Sequence, residues 1–239
     1  MKIPKVGVWY YRNFVKPGTG AYAEADELKY SIRSAVKNLG LETVIVVGDK
    51  PSWFKESVHA LWVNSPYVLD PVSPIASVPW NHLKKFYASK VYRGEFLLFN
   101  DDFFVLQPLD FWTDTHRDDI EYRYKVEKNR EYHQREMRAL LALSKPNGKH
   151  YNLHIPMRIH TDNLPIVFTM RDRSYRLDLP FRTFYGNLFL DKSVPYRDVK
   201  NNSDGIFFSS SEQSWKEDQW VRDLFPEPSF CESTGKQTV

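Results

Sequence analysis

The chain of 239 residues is long enough for one large domain or two small ones, and its 42% hydrophobic and 15% aromatic residues can form a sizeable core. Its 33 Lys and Arg residues against 30 Asp and Glu residues give a formal charge of +3, too small to predict nucleic-acid binding by itself. The single cysteine, Cys231, excludes an internal disulfide and is typical of a reducing compartment. Because no signal peptide and no apolar run of roughly 18 residues is evident, we expect a cytoplasmic protein without a transmembrane segment.

Alternating strand and helix patterns run through the first hundred residues. The early loop with Gly18 and Gly20 lacks the spacing of a phosphate-binding glycine motif. Strands linked by crossover helices pair in parallel, so this alternation predicts a parallel sheet. In chain order we predict a strand at 5–11, a helix at 23–39, strands at 41–48 and 61–63, a proline-rich extended loop at 66–79, a helix at 80–93 and a strand at 96–99.

The most informative stretch is the predicted strand at 96–99 and the polar residues directly after it, Asn100, Asp101 and Asp102. Two carboxylates and an amide are costly to bury without partners. In open α/β sheets, such residues lie at the carboxyl ends of strands, where ligands and metal ions bind. The alternative is an Asp-rich turn in which the carboxylates cap the following backbone.

Residues 113–149 carry a dense mixture of acidic and basic side chains. This pattern favours a solvated helix with salt-bridged faces, and the alternative is an inserted arm that contacts an acceptor. A late strand at 205–208 and a helix at 215–225 follow. We therefore predict one α/β domain over 1–239, with a mostly parallel, Rossmann-like or GT-A-like sheet, flanking helices and a charged helical insertion at 113–149.

The remaining chemistry-bearing residues are His154, close to Pro156, and an arginine-rich stretch at 171–182. One cysteine and scattered histidines do not make a zinc site, and no Gly-x-Ser-x-Gly motif indicates a serine hydrolase. Carboxylates bind hard divalent cations, arginines neutralise phosphate, and a histidine can act as a base. Together they favour cation-assisted transfer from a nucleotide-activated donor.

Each of these residues also has a structural interpretation. His154 can be a half-buried histidine that bonds to the backbone, and the arginines can form surface ion pairs. An acidic pair of this kind also occurs in glycosyltransferases of the GT-A type. The residues alone leave these alternatives open.

The chain resembles the Stealth family, the sugar-1-phosphate transferases that include bacterial capsular polysaccharide phosphotransferases and the animal GlcNAc-1-phosphotransferase. The segment 99–104, Phe-Asn-Asp-Asp-Phe-Phe, is the most specific match. Two family elements are incomplete: no aspartate follows the opening residues 8–11, and 207–212 lacks the family's acid and amide. The other matching segments are 26–34 with Lys37 and Asn38, 46–53, Pro108 with Leu109, 154–156, Tyr175 and Arg176 with Asp178, and 224–230.

The resemblance implies transfer of a sugar 1-phosphate from a nucleotide sugar to a hydroxyl of a glycan. Asp101 and Asp102 would hold a divalent cation, Mg²⁺ or Mn²⁺, with Asp102 also at the reacting phosphoryl group. His154 would be the base or would position the nucleophile, and Arg176 would clamp phosphate. The other substrate- and phosphate-binding candidates are Asn100, Arg182 and Asp49.

Two further hypotheses remain. The incomplete elements favour a GT-A-type glycosyltransferase that transfers the sugar itself, to a glycan or to a modified nucleic-acid base. The second is a carbohydrate-binding relative without activity, which the retained acidic pair and histidine argue against. The sequence does not predict the sugar, the nucleotide or the oligomeric state.

Overall fold

The computed structural model describes residues 1–12, 26–65, 74–118, 148–173, 180–210 and 218–233, with only the backbone at 74–78 and 173. Among these residues, no helix has both the length and the apolar character needed to cross a membrane. Gln134, Met137, Leu140, Leu141, Leu143, Lys145 and Trp215 are also described.

The described chain alternates strands and helices. A short 3-10 helix, Thr161–Asn163, precedes the third α-helix. In chain order the elements are β1 (Val6–Tyr11), α1 (Glu27–Leu39), β2 (Thr43–Gly48), β3 (Ala60–Asn64), α2 (Pro74–Ser89), β4 (Glu95–Phe99), β5 (Phe103–Val105), β6 (Thr115–His116), β7 (Met157–His160), α3 (Leu164–Arg173), α4 (Phe181–Phe189), β8 (Val194–Pro195), β9 (Asn202–Ser203), β10 (Phe207–Ser209) and α5 (Gln219–Leu224).

A five-stranded sheet with the order β3-β2-β1-β4-β7 forms the centre of the fold. Its first four strands are parallel, and β7 pairs antiparallel with β4. The carboxyl ends of the parallel strands therefore meet at one edge, and β7 begins at the same edge because Met157 pairs with Leu98. This confirms the predicted α/β fold with a mostly parallel sheet. Small sheets, β5-β10-β9 and β6-β8, are added to it.

Helices flank both faces of the sheet. Along β1, Val8 and Trp9 pack into different cores, as expected for side chains that alternate across a strand. The core on the Trp9 side contains the apolar face of α1, and the core on the Val8 side contains residues of α2, α3 and α4. Buried strands with helices on each face explain why β2 and β4 read as continuous apolar runs.

The second helix differs from its prediction. It begins at Pro74, inside the stretch predicted as an extended loop, continues through Pro79 and ends at Ser89. A proline at the first helical position has little effect on helix stability, whereas Pro79, inside the helix, removes one helical hydrogen bond. Burial of Trp80 and Phe86 against the sheet offsets that loss.

Most of the predicted insertion at 113–149 lies outside the described residues. Within it, Thr115 and His116 form β6, and Gln134, Met137, Leu140 and Leu141 are helical. Leu140 is fully buried. The helical character is therefore seen at these positions, and the rest of the insertion remains a prediction.

Helix α1 holds the strand that follows the acidic turn. The Ser31 hydroxyl donates to the Phe103 carbonyl at 2.5 Å, and the Val105 amide donates to the Ser34 hydroxyl at 3.0 Å. The Asn38 side-chain amide donates to the Val105 carbonyl at 2.6 Å. These polar residues belong to the segment that resembles the Stealth family, and here they satisfy the backbone of β5.

A largely buried ion pair holds the C-terminal segment against α1. Arg33 donates from Nε and Nη2 to both carboxylate oxygens of Glu232, at 2.8 and 2.6 Å. Its Nη1 donates to the carbonyls of Phe225 and Pro226, each at 3.0 Å. The Arg33 and Glu232 side chains are only 11% and 6% exposed, so each charge depends on the other.

Arg33→Met is expected to destabilise the protein by about 3 kcal/mol, because it leaves the Glu232 carboxylate buried without its partner. For a chain of this size, thermal denaturation should show a melting temperature lower by roughly 6–12 °C. Lys84→Met breaks the exposed pair with Asp172 and should lower the melting temperature by less than about 4 °C. Equal shifts for the two variants would contradict the structural role of the buried pair.

Candidate active site

The candidate site lies at the carboxyl edge of the sheet, beside the point where the winding reverses. From β1 the chain adds β2 and β3 on one side, and β4 lies on the other side of β1. Ligands of open α/β sheets bind outside such a point. Asp101 and Asp102 form the turn directly after β4, and His154 lies in the segment that leads into β7. The structure thus brings residues about fifty positions apart to one edge.

The acidic turn is half-buried and rich in negative charge. Burial raises the pKa of Asp101 to about 8, and the charges of Asp102 and Glu27 add to the shift. Glu27 is a buried residue in the first turn of α1. Burial also raises the pKa of Asp102, while the charges of His154 and Arg182 and a hydrogen bond from Ser209 oppose that shift. The Ser209 hydroxyl donates to Asp102 Oδ2 at 3.1 Å.

The Asp101 carboxyl is expected to make stability depend on pH. Its folded-state pKa lies above its ordinary value near 4, so its protonation stabilises the fold below about pH 4, and this contribution is lost as pH rises to about 8. The asparagine of Asp101→Asn cannot ionise. The melting temperature of this variant minus that of the wild type should therefore increase from pH 5 to pH 8.5.

The exposed residue Asp110 provides a matched control, because Asp110→Asn should show no such trend. A difference between Asp101→Asn and wild type that stays constant between pH 5 and pH 8.5 would contradict the raised pKa.

His154 is oriented by Asp198. Its Nδ1 lies 2.9 Å from Asp198 Oδ1, and its backbone amide donates to the same oxygen at 3.0 Å. Burial raises the pKa of Asp198, but the hydrogen bonds and charge of His154 and the charge of Arg117 outweigh it and lower the pKa to about 2. Asp198 is therefore a carboxylate at neutral pH and can only accept a hydrogen bond from Nδ1–H. A neutral imidazole that donates from Nδ1 has its lone pair on Nε2.

Arg182 ties the His154 segment to β4. Its Nη1 donates to the carbonyls of Leu153 and Ile155, at 3.1 and 2.7 Å. Its Nη2 donates to the Leu98 carbonyl at 3.2 Å, and the buried guanidinium lies over the Phe103 ring, 4.9 Å from its centroid. These contacts favour a positioning role for Arg182 near the acidic turn, and its predicted contact with phosphate stays a prediction.

The other predicted residues are placed as follows. Asn100 is half-buried directly after β4, adjacent to the acidic pair. Asp49 directly follows β2, and its backbone amide donates to the Tyr11 carbonyl at 3.0 Å, so it lies at the same edge but two strands from β4. Arg176 lies outside the described residues, and its predicted role as a phosphate clamp stays a prediction.

The sequence interpretation missed Asp198, Ser209 and Glu27. Asp198 lies 44 residues after His154 in an irregular stretch, and no pattern signals their pairing. Ser209 belongs to the segment interpreted as lacking an acid and an amide. Glu27 could have been found, because it is an acidic residue at a helix start inside a segment that resembles the family.

Asp101 and Asp102 are the residues that would hold the predicted Mg²⁺ or Mn²⁺ ion. Two crowded carboxylates with raised pKa values would both ionise more readily beside a cation. Among the described residues, no group of three or more His, Cys, Asp and Glu side chains is arranged to hold a metal ion. Mg²⁺ often binds through one or two carboxylates and the substrate's phosphates, and the cation site at Asp101 and Asp102 stays a prediction.

No protein-family model matches the chain, and no curated protein is significantly similar to it in sequence. The resemblance to the Stealth family therefore rests on the short matching segments and their order.

Proposed function

We propose that the protein is a transferase that uses a nucleotide-sugar donor and moves the sugar 1-phosphate to a hydroxyl of a glycan. One observation carries this proposal: the histidine–carboxylate pair of His154 and Asp198 stands beside the acidic pair at the ligand-binding edge of the sheet. Phosphoryl transfer needs a positioned base and concentrated charge for a cation and phosphates, and both are present here.

In the proposed reaction, His154 Nε2 accepts the proton of the acceptor hydroxyl. The hydroxyl oxygen forms a bond to the phosphorus that carries the sugar. The bond from that phosphorus to the bridging oxygen breaks, and the nucleoside monophosphate leaves with the electron pair. Asp198 stabilises the imidazolium that forms, as the orienting carboxylate does in other histidine–carboxylate pairs.

A bound divalent cation would supply charge neutralisation at the donor phosphates. Asp101 and Asp102 would hold it, and Arg182 would keep the turn and the His154 segment in register. The same edge would place Asn100 beside the reacting group.

Ordinary glycosyl transfer is the second candidate, and one observation favours it. The side chain that reaches Asp102 from β10 is the Ser209 hydroxyl, where the Stealth pattern has an acid and an amide nearby. The missing acid and amide are a departure from the Stealth pattern, and this departure favours a GT-A-type enzyme, whose acceptor could be a glycan or a modified nucleic-acid base.

The leaving group separates the two reactions. Incubation with a panel of nucleotide sugars, Mg²⁺ and glycan acceptors should release nucleoside monophosphate, measured by ion-exchange chromatography. Release of nucleoside diphosphate with a sugar-modified acceptor would contradict phosphosugar transfer and would indicate glycosyl transfer. Salt-sensitive binding to DNA would point to a nucleic-acid acceptor. Glycan binding without any turnover would indicate an inactive carbohydrate-binding relative.

A further inference from the structure

A second polar cluster lies at the same edge, where β1, β2 and β3 end. Tyr10 projects from β1, and His82 projects from α2 with its ring stacked on that of Tyr10 at a centroid distance of 5.8 Å. The His82 Nδ1 lies 2.8 Å from the hydroxyl of Ser65, the residue after β3. Asp49 and Arg12 are near enough for their charges to act on His82.

Two atoms of this cluster have unmet hydrogen-bonding capacity. Within the described part of the chain, neither the Tyr10 hydroxyl nor His82 Nε2 has a hydrogen-bond partner, and both atoms are buried. His82 as a whole is only 3% exposed. Buried polar atoms are rarely left without partners, and an unmet one is a place where a ligand or an ordered water gains a hydrogen bond.

The cluster is suited to an uncharged ligand group. Burial lowers the pKa of His82 to about 4, with Asp49 opposing and Arg12 adding to the shift, so the imidazole is neutral at physiological pH. Burial also raises the pKa of Tyr10 well above its ordinary value, so its hydroxyl keeps its proton. Two neutral groups of this kind recognise hydrogen-bond donors and acceptors such as those of a base or a ribose.

Gly48 permits this arrangement. Its φ is +127°, and a Cβ there would lie 2.0 Å from the Tyr11 carbonyl oxygen and 3.3 Å from the His82 ring. Only glycine therefore allows β2 to end this close to β1 and to His82.

The cluster and the acidic turn belong to one continuous edge. The charge of Arg182 acts on both the Tyr10 hydroxyl and Asp102, so the guanidinium lies near both groups. Tyr10 lies on β1, the direct neighbour of β4. Ser65, which contacts His82, follows β3, and β3 is three strand spacings or about 14 Å from β4. A nucleoside diphosphate that reaches from the acidic turn along this edge would place its nucleoside near Tyr10 and His82.

We infer that Tyr10 and His82 form the hydrogen-bonding site for the nucleoside part of the donor. The inference rests on the proposed function, because it places the nucleoside at one end of the edge and the reacting phosphate at the other. It also supplies contacts at the element where the chain departs from the Stealth pattern, the opening residues 8–11 without a following aspartate.

The test uses two variants of the full chain and the four nucleoside 5′-monophosphates, with affinity measured by calorimetry. Tyr10→Phe removes only the unmet hydroxyl, so the melting temperature should stay equal or rise while affinity falls about 3- to 10-fold. His82→Asn keeps a polar atom near the position of Nδ1 and removes Nε2, and should weaken binding similarly. The matched control is Tyr92→Phe, whose hydroxyl donates to the Glu95 carbonyl, and it should bind as wild type does.

The outcomes separate this inference from the proposed function. Unchanged affinity in both Tyr10→Phe and His82→Asn, or no binding of any of the four nucleotides to the wild type, would overturn the inference. Nucleoside monophosphate release from a nucleotide sugar with an unchanged donor KM in both variants would overturn it while the function stands. Binding that depends on Tyr10 and His82, without turnover of any nucleotide sugar, would keep the nucleoside site and remove the proposed reaction.

Discussion

Asp102→Asn is expected to lower kcat for the nucleotide sugar by about 10²- to 10³-fold or more, because a preorganised charge at the reacting phosphoryl group is lost. The fold should persist, since an asparagine carbonyl can still accept the hydrogen bond from the Ser209 hydroxyl. An asparagine also avoids the cost of placing a charge in this environment, the cost that raises the pKa of Asp102, so the melting temperature should not fall.

Three measurements make this result specific. Thermal denaturation checks the fold, nucleoside monophosphate binding should stay at the wild-type affinity, and the exposed control Asp110→Asn should keep full activity. A fully active Asp102→Asn would show that the acidic turn is not the reaction centre, whatever the identity of the donor.

The second large effect is expected at His154. Removal of a positioned base costs typically about 10²- to 10⁴-fold, so His154→Ala should lower kcat by that amount with a small change in donor KM. The exposed histidine His59 gives the control, since His59→Ala should leave the rate unchanged. An active His154→Ala would assign the proton transfer to another group.

Asp198→Asn tests whether the carboxylate acts through His154. The pKa of Asp198 is lowered to about 2, so Asp198 is ionised at every assay pH and its charge faces the imidazole. In the variant the imidazolium loses this ionic partner, so kcat should fall with little change in donor KM. A loss of activity that is matched by a loss of thermal stability and of nucleoside monophosphate binding would indicate a structural role only.

Local sequence patterns were sufficient to predict the strand that carries the candidate site and the carboxylates at its end. The apolar run at 96–99 followed at once by Asp101 and Asp102 predicted a buried strand with carboxylates at its end, and the structure places them there. His154 lies at the same edge because β7, which follows it, pairs antiparallel with β4. The local pattern of residues does not reveal that register.

The contacts that tune the site could not be predicted. Nothing in the spacing of Asp198 or Ser209 indicates that they meet His154 and Asp102, because loops and small sheets set those contacts. Arg182 is a second candidate for the phosphate clamp beside Arg176, and its contacts with the carbonyls of Leu98, Leu153 and Ile155 follow from the packing of α4 against the sheet, which the sequence does not reveal. The unmet atoms of Tyr10 and His82 arise from packing between β1 and α2, which no single segment encodes.

The three carbonyl contacts of Arg182 have a consequence for engineering the proposed enzyme. They join Leu98 at the end of β4 to Leu153 and Ile155 on either side of His154, so the acidic turn and His154 are held as one unit. Libraries aimed at a new acceptor would disturb the reacting geometry if they varied these segments. Variation at Asn202 and Ser203, the exposed residues of β9, leaves these contacts in place and is the better starting point.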